Sequence, residues 1–189
     1  MRKTSRHLWL AGLLFAVTLI SAVPAAAQTG GSGPPGDTTT TTTTPTAPSG
    51  TAQLQPDGTA IAPSNAPRQV RKAIAAGNKI HTRPYIWGGG HRSFRSRGYD
   101  CSGAVSYVLH AAGLLRSPLS SGPLMAWGAP GMGSWITVYA NSSHAWMTVA
   151  GLRFDTSAVG ESLNQGSGPR WRQTARGGTG YAARYYPGL

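Results

Sequence analysis

The chain has 189 residues, one cysteine, and 17 Lys and Arg against 5 Asp and Glu, for a formal net charge of +12. A lone cysteine excludes a disulfide within the chain, and no Cys/His cluster has ligand spacing, so no metal or other cofactor is expected. The Arg residues are scattered and form no nucleic-acid motif, which argues against a nucleic-acid partner.

In chain order, Arg2, Lys3 and Arg6 precede the apolar run Leu8–Val23 and the small residues Ala25-Ala26-Ala27. That is the order of a secretory signal peptide, residues 1–27, cut after Ala27. The run is shorter than the ~20 residues a membrane span needs. No later segment is long or apolar enough, so a secreted, extracellular or wall-associated protein is expected. Residues 28–67 are rich in Thr, Pro and Gly, with Thr38–Thr44 unbroken. This composition buries too little apolar surface to offset chain entropy and reads as a disordered linker. Residues 68–189 then form one domain. Outside the cell, their basic surface suits anionic wall polymers or carboxylate-bearing substrates.

Within the domain, Val70–Ile80 has helical spacing, with Arg71, Lys72 and Asn78 outward and Gly77 weakening it. Pro84-Tyr85-Ile86-Trp87 enters the glycine turn Gly88-Gly89-Gly90, where the backbone can approach another segment closely. His91–Gly98 is a basic loop. A second helix starts after Asp100, a good N-cap, buries the stripe Ala104, Val105, Val108, Leu109 and Ala112, and stops at Gly113. Arg116–Gly133 is an irregular crossing. Trp135–Tyr139, His144–Val149 and Leu152–Thr156 follow as an antiparallel meander.

Two readings are open for Cys101, at the start of the second helix. Free cysteine is a common small core residue. A helix N-terminus, however, favours the thiolate, the nucleophilic form. Export favours the second reading, since an unpaired cysteine in an oxidising compartment suggests a reactive thiol or, as the lesser alternative, a bridge between chains. A cysteine nucleophile needs an imidazole and a group to orient it. His110 lies too far along the same helix, and His81 and His91 have no orienting partner apparent in sequence. His144 opens a strand that can face the helix start. With a two- or four-residue turn, Asp155 shares its face; with three or five, Thr156 does. The compact Ala150-Gly151 turn favours Asp155.

Pro84-Tyr85-Ile86-Trp87-Gly88-Gly89, Asp100-Cys101-Ser102-Gly103 and His144 together resemble, in order, three elements of the NlpC-type family of cell-wall cysteine peptidases. The resemblance implies a papain-like α+β fold, with the nucleophile helix packed on an antiparallel β-sheet. It also implies hydrolysis of amide bonds in peptidoglycan stem peptides, commonly the bond from D-glutamate to a diamino acid. By position, Cys101 is then the nucleophile and His144 the base. Tyr85, Asp100 and Ser102 fall where some members bind substrate, with Asp100 a candidate holder of a substrate amine. The sequence departs from the family's pattern, and Ser117–Pro130 and the tail from Gly168 do not match it. Gly131–Trp135 lacks a Pro-Gly-Asp element, and no histidine follows His144.

The expectation is therefore an exported cysteine endopeptidase acting on peptidoglycan through a thioacyl enzyme, with Cys101, His144 and Asp155 catalytic. The alternatives are a non-catalytic basic module that binds the cell envelope, and a transferase that passes the acyl group to an amine.

Overall fold

The computed structural model describes residues 50–159, 167–173 and 175–189. The expected signal peptide and the expected linker up to residue 49 lie outside them. Helix α1, Arg68–Ile80, turns Val70, Ala73, Ile74, Ala76, Gly77 and Ile80 inward at three- and four-residue spacing. Gly77 has a packing reason to be there. A Cβ on it would meet the Trp171 ring at 2.3 Å, so the indole lies directly on the helix backbone.

Helix α2, Cys101–Ala111, forms as its sequence predicts. Asp100 caps it by accepting from the Gly103 N–H, and Ala104, Val105, Val108 and Leu109 are buried. Gly113 follows at φ +79°. The expected irregular crossing contains a short helix α3, Ser121–Leu124. Among the described residues, no helix is long and apolar enough to cross a membrane.

The expected meander is present as β4 (Ile136–Ala140), β5 (Ala145–Val149) and β6 (Leu152–Asp155), but the sheet is larger. Ala129–Pro130 forms β3, and the tail adds β7 (Arg170–Arg172) and β8 (Ala182–Tyr185). The antiparallel order is β3-β8-β4-β5-β6-β7, so β8 inserts between β3 and β4. Val138, Ala140, Ala145, Met147, Val149 and Phe154 share one core with α1 and α2. The architecture is thus α+β, with the cysteine helix packed on β5 and β6 of an antiparallel sheet.

Val149 pairs with Leu152 across Ala150-Gly151, a two-residue turn with φ +46° and +83°. Two positive φ values make a type I′ turn, whose twist matches the strands it joins. The pairing continues through Met147 and Phe154. That register places His144, Trp146 and Asp155 on the sheet face opposite the helices.

One boundary differs from its expectation. Residues 50–67, read from composition as linker, are folded. Gln53–Leu54 and Ala60–Ile61 pair as strands β1 and β2. Ala52, Ala60 and Ala66 are buried in the common core. The Ala52 N–H donates to the Ala150 carbonyl at 2.8 Å. Asn78, expected outward, instead holds the hairpin. Its carboxamide accepts from Ala60 N and Trp171 Nε1, each at 2.8 Å, and donates to the Ala60 carbonyl at 2.9 Å. Small residues bury little area each, so composition hides a segment anchored by three alanines and one amide.

Candidate active site

The start of α2 rests on the glycine turn, backbone against backbone. Asp100 N donates to the Gly89 carbonyl at 3.2 Å. A Cβ on Gly103 would lie 1.9 Å from that same oxygen, and one on Gly90 would lie 2.9 Å from Gly103 Cα. No side chain fits between these segments. The expected close approach of the glycines is therefore made to the first helical turn, and it fixes where Cys101 sits.

Cys101 is 8 % exposed. Burial by itself pushes its thiol pKa up. The hydrogen bond with His144, the Ala145 N–H and the charge on His144 outweigh that and hold it below the ordinary value, although Asp100 opposes them. His144 precedes β5 and is aimed by an Asn141 turn, whose side-chain oxygen accepts from Ser143 N at 3.0 Å and His144 N at 2.9 Å.

His144 Nε2 lies 2.9 Å from Asp155 Oδ1. A carboxylate only accepts, so Nε2 carries the proton and Nδ1 is left for the thiol. Burial lowers the pKa of the ring. The hydrogen bonds and charges of Asp155 and Cys101 overcome this and push it up to about 9. The two shifts run in opposite directions, the thiol down and the ring up, so each charged form favours the other.

Asp155 is buried at the end of β6 and accepts from the Ser157 N–H at 2.9 Å. Its other oxygen takes a 2.9 Å bond from Arg176 Nη1, with Arg153 Nε at 3.8 Å. Burial pushes its pKa up, but the bonds from His144 and Ser157 and the charges of His144 and Arg176 bring it below the ordinary value. Arg176 is held in turn by Tyr181, donating to its hydroxyl at 2.7 Å, and lies 5.9 Å from the Trp146 ring. It also stands 3.4 Å from His144 Nε2. Both nitrogens donate, so this contact places one cation beside another.

The other expected site residues lie around the start of α2. Tyr85 is half-buried and bridges Tyr99 through the backbone. Burial and the charges of Cys101 and Asp100 raise its phenol pKa. Ser102 is buried, its hydroxyl donating to Asp100 at 3.3 Å. Asp100 is buried among its neighbours and does not stand free. His91 joins this group, with Nε2 3.0 Å from Asp100 Oδ1 and 3.1 Å from Ser102 Oγ.

Sequence reasoning missed His91 and Arg176. His91 stands in a loop without periodicity, nine residues before its partner, and Arg176 lies in a glycine-rich tail with no motif. His110 and His81 are engaged elsewhere. The first stacks on Phe94 at 3.8 Å, and the second meets the Asn78 carbonyl at 2.6 Å. A groove of about 930 Å³ between the hairpin and α1 is lined by none of the expected site residues.

No protein-family model matches the sequence, and no curated protein matches it. Solved structures of NlpC/p60 proteins are similar to it. A mutated form of the resuscitation-promoting-factor interacting protein RipA is 24% identical over 64% of this chain, with a TM-score of 0.45. This chain spans 66% of that RipA structure, just under two thirds of its length. An NlpC/p60 family protein from Bacillus cereus is 20% identical over 62% of this chain and 40% of its own, with a TM-score of 0.45. RipD from Mycobacterium tuberculosis, described as a non-catalytic NlpC/p60 domain protein adapted to peptidoglycan binding, is 20% identical. That match covers 63% of this chain and 98% of RipD, with a TM-score of 0.45.

Proposed function

We propose that this chain is an exported NlpC-type cysteine peptidase with a papain-like fold, hydrolysing amide bonds in peptidoglycan stem peptides. Residues 1–27 serve as its signal peptide, and the Thr/Pro-rich stretch up to residue 49 tethers the folded domain. One observation carries the reading. His144, which lowers the pKa of the Cys101 thiol at a helix N-terminus, has its Nε2 2.9 Å from a buried carboxylate.

In this mechanism the Cys101 thiolate attacks the amide carbonyl carbon, forming a C–S bond and a tetrahedral oxyanion. The first N–H groups of a helix have no acceptor within it. Asp100 takes that of Gly103, which leaves the Cys101 N–H for the oxyanion. Collapse breaks the C–N bond as the His144 imidazolium protonates the leaving amine. Neutral His144 then takes a proton from water, whose oxygen attacks the thioacyl carbon. Loss of the C–S bond releases the acid and restores the thiolate and imidazolium pair. Asp155 holds the ring and its charge throughout.

The test is incubation of purified wall with wild type and Cys101→Ala, followed by mass spectrometry of released muropeptides. Wild type should release peptides ending at one specific amide, and the variant none. Release by the variant, or wall binding without release by wild type, would overturn the peptidase reading; the latter would favour an envelope-binding module.

A further inference from the structure

The loop of residues 91–98 carries Arg92, Arg95 and Arg97 and no acid, and none of these guanidiniums enters the chemistry above. The acids among the described residues are Asp57, engaged by Thr59 in the hairpin, and the buried Asp100 and Asp155. None of these carboxylates lies within ion-pair reach of the three arginines. All three are exposed, so the loop presents uncompensated positive charge to solvent.

The loop is held in shape from behind. Phe94 stacks on His110 of α2 at 3.8 Å. The Tyr99 hydroxyl donates to the Phe94 carbonyl at 2.9 Å and accepts from the Ser96 N–H at 3.3 Å. Arg92 and Arg95 thereby line a pocket of about 270 Å³, whose opposite wall is Ile86, Trp87 and the glycine turn. None of Cys101, His144 and Asp155 lines it. Trp87 is 85% exposed and Ile86 41%. Covering an indole that stands in water is favourable for any ligand with a matching flat apolar face.

Two guanidiniums grip a carboxylate or phosphate through paired N–H groups. The electron-rich face of an indole attracts the C–H groups of a sugar ring. The pocket falls below the ~300–1,000 Å³ of sites for drug-sized ligands, so it suits one ring with its acidic substituent, the rest of a polymer lying outside. A single-stranded nucleic acid is a poorer match, since its sites stack successive bases on successive aromatics. Here Phe94 is taken by His110, which leaves Trp87 alone. An acidic peptide brings charge but no flat C–H face.

We infer that Trp87, Arg92 and Arg95 form a binding site for an acidic saccharide, with a sugar ring on the indole and its carboxylate or phosphate between the guanidiniums. The site goes beyond the peptidase reading and does not depend on it. It holds the domain on an anionic polysaccharide while the thiol is free to act on peptides.

Titration calorimetry of the full chain at one ionic strength tests it with polygalacturonate, dextran phosphate, neutral dextran, polyglutamate and poly(dT). Wild type should bind at least one of the two acidic saccharides about ten-fold or more tighter than the other three polymers, the size of one charge-assisted contact. Which of the two is preferred tells whether the acidic group is a carboxylate or a phosphate. The double variant Arg92→Gln/Arg95→Gln should lose that affinity by at least about ten-fold. Trp87→Ala should remove the margin over polyglutamate. Should it fail to fold, Trp87→Phe, with a smaller ring, should narrow the margin. The control Lys72→Gln/Lys79→Gln removes the same charge from exposed side chains of α1 that do not line the pocket, and should bind as wild type does. An equal loss in that control would reduce the binding to net charge and overturn the site. So would an unchanged margin in a folded Trp87 variant, or polyglutamate or poly(dT) bound as tightly as either saccharide. Cys101→Ala should bind like wild type. Saccharide binding without peptide hydrolysis by wild type would leave this site standing and the peptidase reading fallen, and hydrolysis without saccharide binding the reverse.

Discussion

Two histidine–aspartate pairs flank Cys101 at the same 2.9 Å separation, yet they are built for different ends. In the sheet pair, the Asp155 carboxylate is shielded from water and shared between His144 and the guanidinium of Arg176. Its charge acts on the ring, which is pushed up to about 9. In the helix pair, Asp100 divides its charge among a helix cap, a glycine turn, a hydroxyl and His91. Asp155, held by Ser157, Arg176 and Arg153, tunes the ring it faces, whereas Asp100, whose donors come from the glycine turn, His91 and the first turn of α2, fastens a loop to a helix.

This contrast can be broken most directly at the histidines. His144→Ala should lower turnover by about 10²–10⁴-fold, the usual contribution of a general acid–base. His91→Ala should leave hydrolysis within about ten-fold, since it removes one of four donors to Asp100 and not a proton carrier. Comparable losses in kcat for both variants would erase the distinction. A smaller effect is expected at Gly103→Ala. Its methyl group would lie 1.9 Å from the Gly89 carbonyl, so the helix start must shift. Overpacking of this kind costs about 1–3 kcal/mol in chemical denaturation, together with some activity.

The pH profile sharpens the comparison further. Turnover needs the thiolate, so it falls as pH drops through the lowered thiol pKa of Cys101. It also needs the imidazolium, so it falls as pH rises through about 9. The same shift links to stability. A folded-state pKa above the ordinary 6.5 for His144 stabilises the fold fully below 6.5, and that contribution is lost as pH rises through about 9. Arg176→Gln keeps a donor for Asp155 but removes a cation 3.4 Å from the ring. Its upper pH limit should therefore move higher in the pH profile of turnover, and a downward move would contradict this account. The smallest effect is at Ala150→Gly, which relieves a non-glycine φ of +46° in the turn that sets the register of Asp155. Thermal unfolding should show a gain of about 1 kcal/mol.

What could be read from the sequence is what local chemistry determines. The cap at Asp100, the stripe along α2 and the two-residue turn at Ala150-Gly151 fixed the helix start, its buried face and the face of Asp155. What could not be read depends on partners distant in sequence. Asn78 looks like a surface amide until the hairpin lies against it. Arg170-Trp171-Arg172 looks too charged for a strand, yet Trp171 fills the place opposite Gly77 and Arg172 is buried. Ala182–Tyr185 lacks β-branched residues and forms a strand because β3 and β4 offer it two edges.

That last strand has a consequence for the order in which the molecule can assemble. The ribosome makes β4 more than forty residues before β8, and until β8 arrives β4 presents a row of unpaired N–H and carbonyl groups. An open edge of this kind is a template for pairing with other chains. Arg176 and Tyr181 travel with the segment that closes it. Sealing the sheet and delivering the guanidinium to Asp155 are thus one event, and a nascent chain halted before residue 176 would be both adhesive and inactive.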